Sequence, residues 1–230
     1  ARATSPDLAQ AVAKGICDSG ADVLEIGLAG TEEMYAAVTQ FDACGGVEVT
    51  ASHNPIDYNG MKIVGRESKP LSDWEFKSIR ELAEGNCFVS PQKTGVVLDK
   101  KEAARAAYVK KVLRFVDIQS LKPLKMVINS GNGAAGPTVD AINKKLKEKG
   151  VKTNFIFLHH DPDPTFPNGV PNPLLEENRS STGDIVITES ADLGVAFDGD
   201  FDRCFFFDHS GEFIAGEYVV GLLAEVFLSK

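Results

Sequence analysis

The stretch that most constrains this 230-residue chain is Asp198-Gly199-Asp200-Phe201-Asp202-Arg203, because of what flanks it. Leu193-Gly194-Val195-Ala196-Phe197 precedes it and Cys204-Phe205-Phe206-Phe207 follows. Both flanks are short apolar runs of the kind that form buried strands. Asp208-His209-Ser210-Gly211 then reads as a hairpin turn. Three carboxylates are therefore pinned at alternate positions between two segments that belong inside a sheet. Two like charges ~4 Å apart repel by roughly 4 kcal/mol at an effective dielectric of about 20. Converging acids call for solvent, as in a plain acidic hairpin turn, or for a cation. Hard oxygen donors suit Mg²⁺ or Ca²⁺. The spacing begins like a helix-loop-helix calcium site, but that loop wants Gly where Arg203 stands and Glu where His209 stands, which excludes it.

A second stretch pairs with the first. Gly46-Val47-Glu48-Val49 reads as a strand and runs into Thr50-Ala51-Ser52-His53-Asn54-Pro55. Loops on rigid scaffolds carry function. Ser52 is the candidate nucleophile, Ala51 leaves room beside it, and His53 supplies a donor or acceptor. Pro55 stiffens the exit by fixing its own φ. After a turn at Asn59-Gly60, Met61 to Val64 returns as the partner strand and carries Lys62 back toward the same loop. Alone, these residues also fit an ordinary polar turn.

The remaining pattern alternates strands and helices. Ser5, as N-cap, and Pro6 open a helix with Leu8, Val12 and Ile16 on one face. Asp22 to Ile26 is a strand, and Thr31-Glu32-Glu33 starts a helix with acids in its first turn. Ser72-Asp73-Trp74-Glu75 is a capping box for a helix to Glu84. Ser90 to Gly95 is the clearest boundary. Beyond it, Asp99 is expected to cap a long helix to about Ile118. Then come strand Leu124 to Ile128, a helix carrying Val139, Ile142 and Leu146, strand Val151 to Leu158, and a helix from Gly216. Such alternation argues for an α/β class.

Three features bear on other functions. Gly131-Asn132-Gly133-Ala134-Ala135-Gly136 matches the Gly-x-Gly-x-x-Gly of dinucleotide sites, between strand and helix, with Asp161 downstream. A nucleotide-dependent oxidoreductase is thus the reading from another class. His159-His160 suggests zinc only superficially, since neighbours on a strand point to opposite faces. Pro162 to Pro173 is a long loop, of a length that is usually functional or packed against a neighbour.

Bulk properties exclude some partners. The net charge is -9, from 24 basic and 33 acidic residues, without a basic patch for nucleic acid. No apolar run nears the ~20 residues of a membrane span. Four cysteines without Cys-x-x-Cys spacing read as buried free thiols of a reducing, cytoplasmic setting. Ala1 to Gln10 is polar and helical rather than leader-like, and the chain reads as cut before Ala1.

Together, Thr-Ala-Ser-His-Asn-Pro and Asp-Gly-Asp-Phe-Asp-Arg resemble the α-D-phosphohexomutases. So do Asp57 to Lys62, Asn129 to Gly136, Phe166 to Gly169 and Ala196 to Cys204, which extend the likeness along nearly the whole chain. The surrounding words lie nearest the mannose-acting bacterial branch. The resemblance implies two consecutive three-layer α/β/α domains with mixed sheets and the start of a third. These are a phosphoserine domain over 1–95, a metal-loop domain over 96–208 and the beginning of a sugar-binding domain over 209–230. It implies phosphate exchange between positions 1 and 6 of a hexose through a phosphorylated Ser52, with one Mg²⁺ and a hexose 1,6-bisphosphate activator. Ser52, Asp198, Asp200 and Asp202 would hold the metal. Lys62 would be the general acid/base, His53 would orient the serine phosphate, and Arg203 would offset charge. Arg2, Asn54 and Arg203 are the candidate substrate contacts, Arg2 matching the tail of a family loop Asp-x-Arg-x-x-Ser. The expected partners are a phosphosugar and the remaining domains of a longer chain, in a pathway toward nucleotide-linked mannose. Glucose in place of mannose, or a non-catalytic phosphate- and metal-binding fragment, are the alternatives.

Overall fold

The computed structural model describes residues 2–88 and 90–229. Its architecture is α/β with mixed sheets. The chain divides into two compact units, Ala1–Phe115 and Val116–Lys230.

In the first unit, α1 (Ser5–Asp18) half-buries Leu8, Val12 and Ile16 and fully buries Cys17. Its N-cap is Thr4 rather than the expected Ser5. The Ser5 hydroxyl is engaged elsewhere: it donates to the Val49 carbonyl at 3.3 Å and accepts from Arg2 N at 3.2 Å and Asn59 Nδ2 at 3.1 Å. The chain continues through β1 (Val23–Glu25), α2 (Thr31–Gln40), β2 (Gly45–Val49), β3 (Met61–Gly65) and α3 (Asp73–Glu84) to β4 (Val97–Asp99) and α4 (Lys101–Val112). β2 and β3 pair antiparallel with Val49 opposite Met61 and Glu48 opposite Lys62. Met34 and Val38 of α2 pack with Val64 of β3. Gly46 makes that approach possible, because a Cβ there would lie 2.5 Å from Met34 Sδ. The α3 capping box forms as read, Ser72 Oγ accepting from Glu75 N at 3.3 Å and Ser72 N donating to Glu75 Oε2 at 2.8 Å.

The segment after the expected boundary differs from expectation. Val97–Asp99 is a strand, paired parallel with β1. The helix that follows stops at Val112 and loosens into a 3₁₀ turn, Leu113–Phe115, instead of reaching Ile118. Asp117 takes an extended conformation and caps the next short turn through Gln119 N at 3.1 Å. Asp competes well for such local bonds, and that ends the helix.

The second unit holds β5 (Lys125–Asn129), α5 (Ala135–Glu148), β6 (Asn154–Leu158), α6 (Ser180–Thr188), β7 (Leu193–Phe197), β8 (Cys204–Phe207), β9 (Phe213–Ile214) and α7 (Gly216–Leu228). The sheet order is β6-β5-β7-β8-β9. β5 is parallel to both β6 and β7, while β7-β8 and β8-β9 are antiparallel. Val127, Val186, Ala191, Ala196 and Phe207 form the core, so α6 closes one face of the sheet. Every apolar side chain of α7 that is largely exposed, Leu222 and Leu228 among them, lies beyond this core.

This order contains a switch point. The chain leaves β5 to one side for β6 and returns to its other side for β7. In open α/β sheets, ligands bind beyond the carboxyl ends of strands at such a reversal. Both the glycine-rich turn after β5 and the acidic connection after β7 lie there.

Of the four free cysteines only Cys17 is buried; Cys44, Cys87 and Cys204 are exposed, contrary to the expectation of buried thiols. Cys87 follows the end of α3, and Cys44 and Cys204 stand at strand starts, where apolar neighbours in sequence do not enclose the side chain.

Candidate active site

The serine loop crosses between β2 and β3 and is closed at its base by Thr50 N donating to Gly60 O at 3.0 Å. Ser52 is half-buried at φ +48°, a left-handed conformation that a non-glycine residue adopts only where its surroundings enforce it. Two things enforce it. Ser52 N donates to Thr50 Oγ1 at 2.9 Å. The Arg2 guanidinium, 3% exposed, donates to the carbonyls of Ser52 at 2.9 Å, Pro55 at 3.0 Å and Asn54. Ser52 Oγ lies 3.2 Å from His53 Nδ1. Lys62 donates to Thr31 Oγ1 at 3.1 Å, at the start of α2. Asn54 is exposed, and the structure ties its carbonyl to Arg2.

Sequence reasoning named Thr50, Thr31, Ser5 and Asn59 only as motif, helix-start, cap and turn residues and gave none of them a role at the site. Asn59 Nδ2 donates to Thr4 Oγ1 and Ser5 Oγ, which fastens the hairpin to the start of α1. The only sequence signal was that Asn59 occupies a turn, and its long-range partners are not visible there.

In the second unit, the carboxylates of Asp198, Asp200 and Asp202 each offer an oxygen within 4.8 Å of the others. Asp198 is 0% and Asp200 1% exposed, whereas Asp202 is open to solvent. Arg203 sits against them: its guanidinium is 2.5 Å from Asp198 Oδ2 and 3.5 Å from Asp202 Oδ1, and its backbone N–H donates to Asp198 Oδ1 at 3.1 Å. Phe201 is 8% exposed at φ +41°, and its ring meets Phe197 edge to face. The donor set is all carboxylate oxygen, which fits a hard divalent cation such as Mg²⁺ rather than a softer metal. Among the described residues, this is the one cluster of at least three metal-capable side chains.

The two histidines after β6 do not join such a cluster. His160 Nε2 pairs with Asp140 Oδ1 at 3.0 Å, its Nδ1 lies 3.4 Å from Ser130 Oγ, and its ring lies 4.2 Å from that of Phe157. The glycine-rich turn is likewise filled by protein. Ala134 N donates to Gly199 O at 3.0 Å, and a Cβ on Gly136 would lie 2.1 Å from His160 O. The space its glycines free is taken by the Pro171 side chain and by the backbone of Gly199 and His160, where a dinucleotide site would need it for a pyrophosphate.

The fold and these two loops define an α/β protein with a held serine turn and an all-carboxylate loop, and comparison with known families says which class that is. Residues 1–89 match the family described as phosphoglucomutase/phosphomannomutase, alpha/beta/alpha domain I, and residues 91–211 match alpha/beta/alpha domain II. The chain belongs to the phosphoglucomutase/phosphomannomutase family, the α-D-phosphohexomutases. It is 52% identical to a phosphomannomutase of Escherichia coli K12 over all of this chain and 50% of that protein. It is 46% identical to a protein of Xanthomonas campestris named phosphohexose mutases, again over all of this chain and 50% of the relative. A crystal structure of a phosphoglucomutase/phosphomannomutase family protein from Burkholderia thailandensis superposes with a TM-score of 0.85 at 30% identity, covering 99% of this chain and 49% of that one. The chain thus spans about half the length of the curated relatives it matches.

Proposed function

We propose that this chain carries the phosphoserine and metal-loop domains of a phosphomannomutase, which interconverts mannose 6-phosphate and mannose 1-phosphate. The observation that carries the chemistry is the held serine: a nucleophile in an enforced left-handed turn, beside His53, in a loop clamped by Arg2. Mannose rather than glucose is supported by the names of relatives about 51% identical over the whole chain. The family segments 1–89 and 91–211 support a serine domain over 1–95 and a metal-loop domain over 96–208, with β4 and α4 of the latter packed in the first compact unit; 209–230, whose β9 still pairs with β8, is proposed as the start of a sugar-binding domain. Four free thiols and the phosphosugar substrate are in keeping with a cytoplasmic enzyme.

In the proposed reaction, phosphorylated Ser52 gives its phosphoryl group to a sugar hydroxyl. The Ser52 Oγ–P bond breaks, an O–P bond to the sugar forms, and Lys62 takes the hydroxyl proton. The reverse transfer, from the other phosphate of the hexose 1,6-bisphosphate, restores phosphoserine and leaves the isomer. His53 hydrogen-bonds the serine phosphate, Arg203 offsets charge on the migrating group, and Arg2 and Asn54 shape the loop at the substrate. Asp198, Asp200 and Asp202, with an oxygen of the Ser52 phosphate, would hold Mg²⁺. When bound, the metal supplies Lewis-acid neutralisation of phosphoryl oxygens. Positioning and charge neutralisation, more than covalent chemistry, are what such transfer demands. Incubation of the chain with mannose 1,6-bisphosphate, followed by peptide mass spectrometry, should locate phosphate on Ser52 and lose it in Ser52→Ala. A folded chain that never acquires phosphate there would sink the reading.

A further inference from the structure

The glycine-rich turn after β5 has no part in the reaction outlined above, yet it touches the acid loop directly. Gly131 at φ +57° and Asn132 at φ +55° are consecutive left-handed residues. All four polar groups of Asn132, itself 8% exposed, are engaged. Its N–H donates to His159 O at 2.7 Å and its Nδ2 to Asp161 O at 2.9 Å. Its carbonyl accepts from Asp163 N at 2.9 Å, and its Oδ1 accepts from Asn168 Nδ2 at 2.9 Å. The two residues that follow meet Gly199. Ala134 N donates to the Gly199 carbonyl at 3.0 Å, and a Cβ on Gly133 would lie 2.6 Å from that oxygen and 3.1 Å from Gly199 C and Cα. Backbone presses on backbone, so no flexible side chain can yield.

We propose that Asn132 is a positioning residue for the acid loop: it locks a left-handed turn against the end of β6, and that turn seats the peptide between Asp198 and Asp200. The acids approach one another against their mutual repulsion, and such an arrangement holds only if the backbone between them is fixed. Groups that orient metal ligands without touching the metal commonly govern affinity. The inference rests on the reading of the acid loop as a cation site.

The test is Mn²⁺ binding to the 230-residue chain, followed by electron paramagnetic resonance of the free ion, with folding checked by circular dichroism. Gly133→Ala should push Gly199 away and weaken Mn²⁺ binding roughly tenfold or more, the scale on which supporting contacts act. Asn132→Gly keeps the left-handed turn accessible and deletes only the side chain, and it should weaken binding in the same direction. Asn168→Ala, in an exposed loop, removes one partner of Asn132 and should weaken binding less. Should Gly133→Ala not fold, the two milder variants decide. A merely structural turn would lower stability and leave the affinity of folded variants unchanged, and that result overturns the inference alone. Failure of the wild-type chain to bind Mn²⁺ overturns the cation reading and the inference with it.

Discussion

Arg2 offers a quantitative handle on the serine loop. Its guanidinium serves three carbonyls, those of Ser52, Asn54 and Pro55, 50 to 53 residues away in sequence. Hydrogen bonds from a charged donor contribute about 1.5 kcal/mol each at the low end, so three sum to about 4.5 kcal/mol. The loop is partly open, and water taking up the freed carbonyls recovers a good part of this. A residue of about 2 kcal/mol corresponds to roughly a 30-fold shift in the opening equilibrium. The left-handed Ser52, whose strain of about 1–3 kcal/mol is borne by its surroundings, pushes the same way once the clamp is gone. Arg2→Ala should therefore lower hydrogen-exchange protection of the Ser52 and Asn54 amides roughly 30-fold. Arg2→Lys keeps the charge but not the planar fork, and its protection should fall between the two. Equal protection in Arg2→Ala and wild type would show that Thr50 and the hairpin base hold the loop without the guanidinium.

Two further outcomes concern the first unit. Glu33, 2% exposed, is paired with Arg105 Nε at 3.0 Å, and Arg105 also binds the Leu28 carbonyl. Arg105→Ala leaves a buried carboxylate behind and should cost roughly 3 kcal/mol in urea unfolding; a loss too small to resolve would mean that water replaces the guanidinium. The Tyr108 hydroxyl is pushed up to about 12, first by burial and then by the charges of Glu33 and Glu32. The folded chain thus holds this proton where the unfolded chain, near 10, releases it, so stability present below pH 10 is lost as pH rises toward 12. Tyr108→Phe should make that alkaline loss shallower; an identical pH profile would refute the assignment.

Local signals made much of the fold readable. The Ser72 capping box, the β2-β3 hairpin around Asn59-Gly60 and the apolar runs flanking the acid loop each announce themselves within a few residues, and each formed where expected. What escaped lacks such a signature. β4 has three exposed residues and exists because β1 offers it a parallel partner. α6 is nine residues long, ends in Ile185-Val186-Ile187-Thr188, and is held by packing on the sheet rather than by propensity. The partners of Arg2, Asn59 and Asn132 lie tens of residues away, where periodicity and turn chemistry are silent. The Gly-x-Gly-x-x-Gly match shows the converse: the residues are right for close approach, but what approaches is Pro171, Gly199 and His160.

The strained positions connect these observations. Ser52 and Phe201 sit at positive φ in the connections that the proposed function uses, and Asn132 does so in the turn that touches the second of them. Asn tolerates that region, so Asn132 costs little, whereas a bulky residue there is a true outlier. Phe201 persists because its burial outweighs the backbone: left-handed strain costs about 1–3 kcal/mol, while deleting a buried phenylalanine ring costs about 3–5 kcal/mol. The ring packed against Phe197 thus anchors the backbone between Asp200 and Asp202, as Gly133 and Ala134 seat it between Asp198 and Asp200. An acid loop fixed at two successive peptides gives its carboxylates little freedom to splay apart, and that rigidity is what a binding site of like charges requires before any cation arrives.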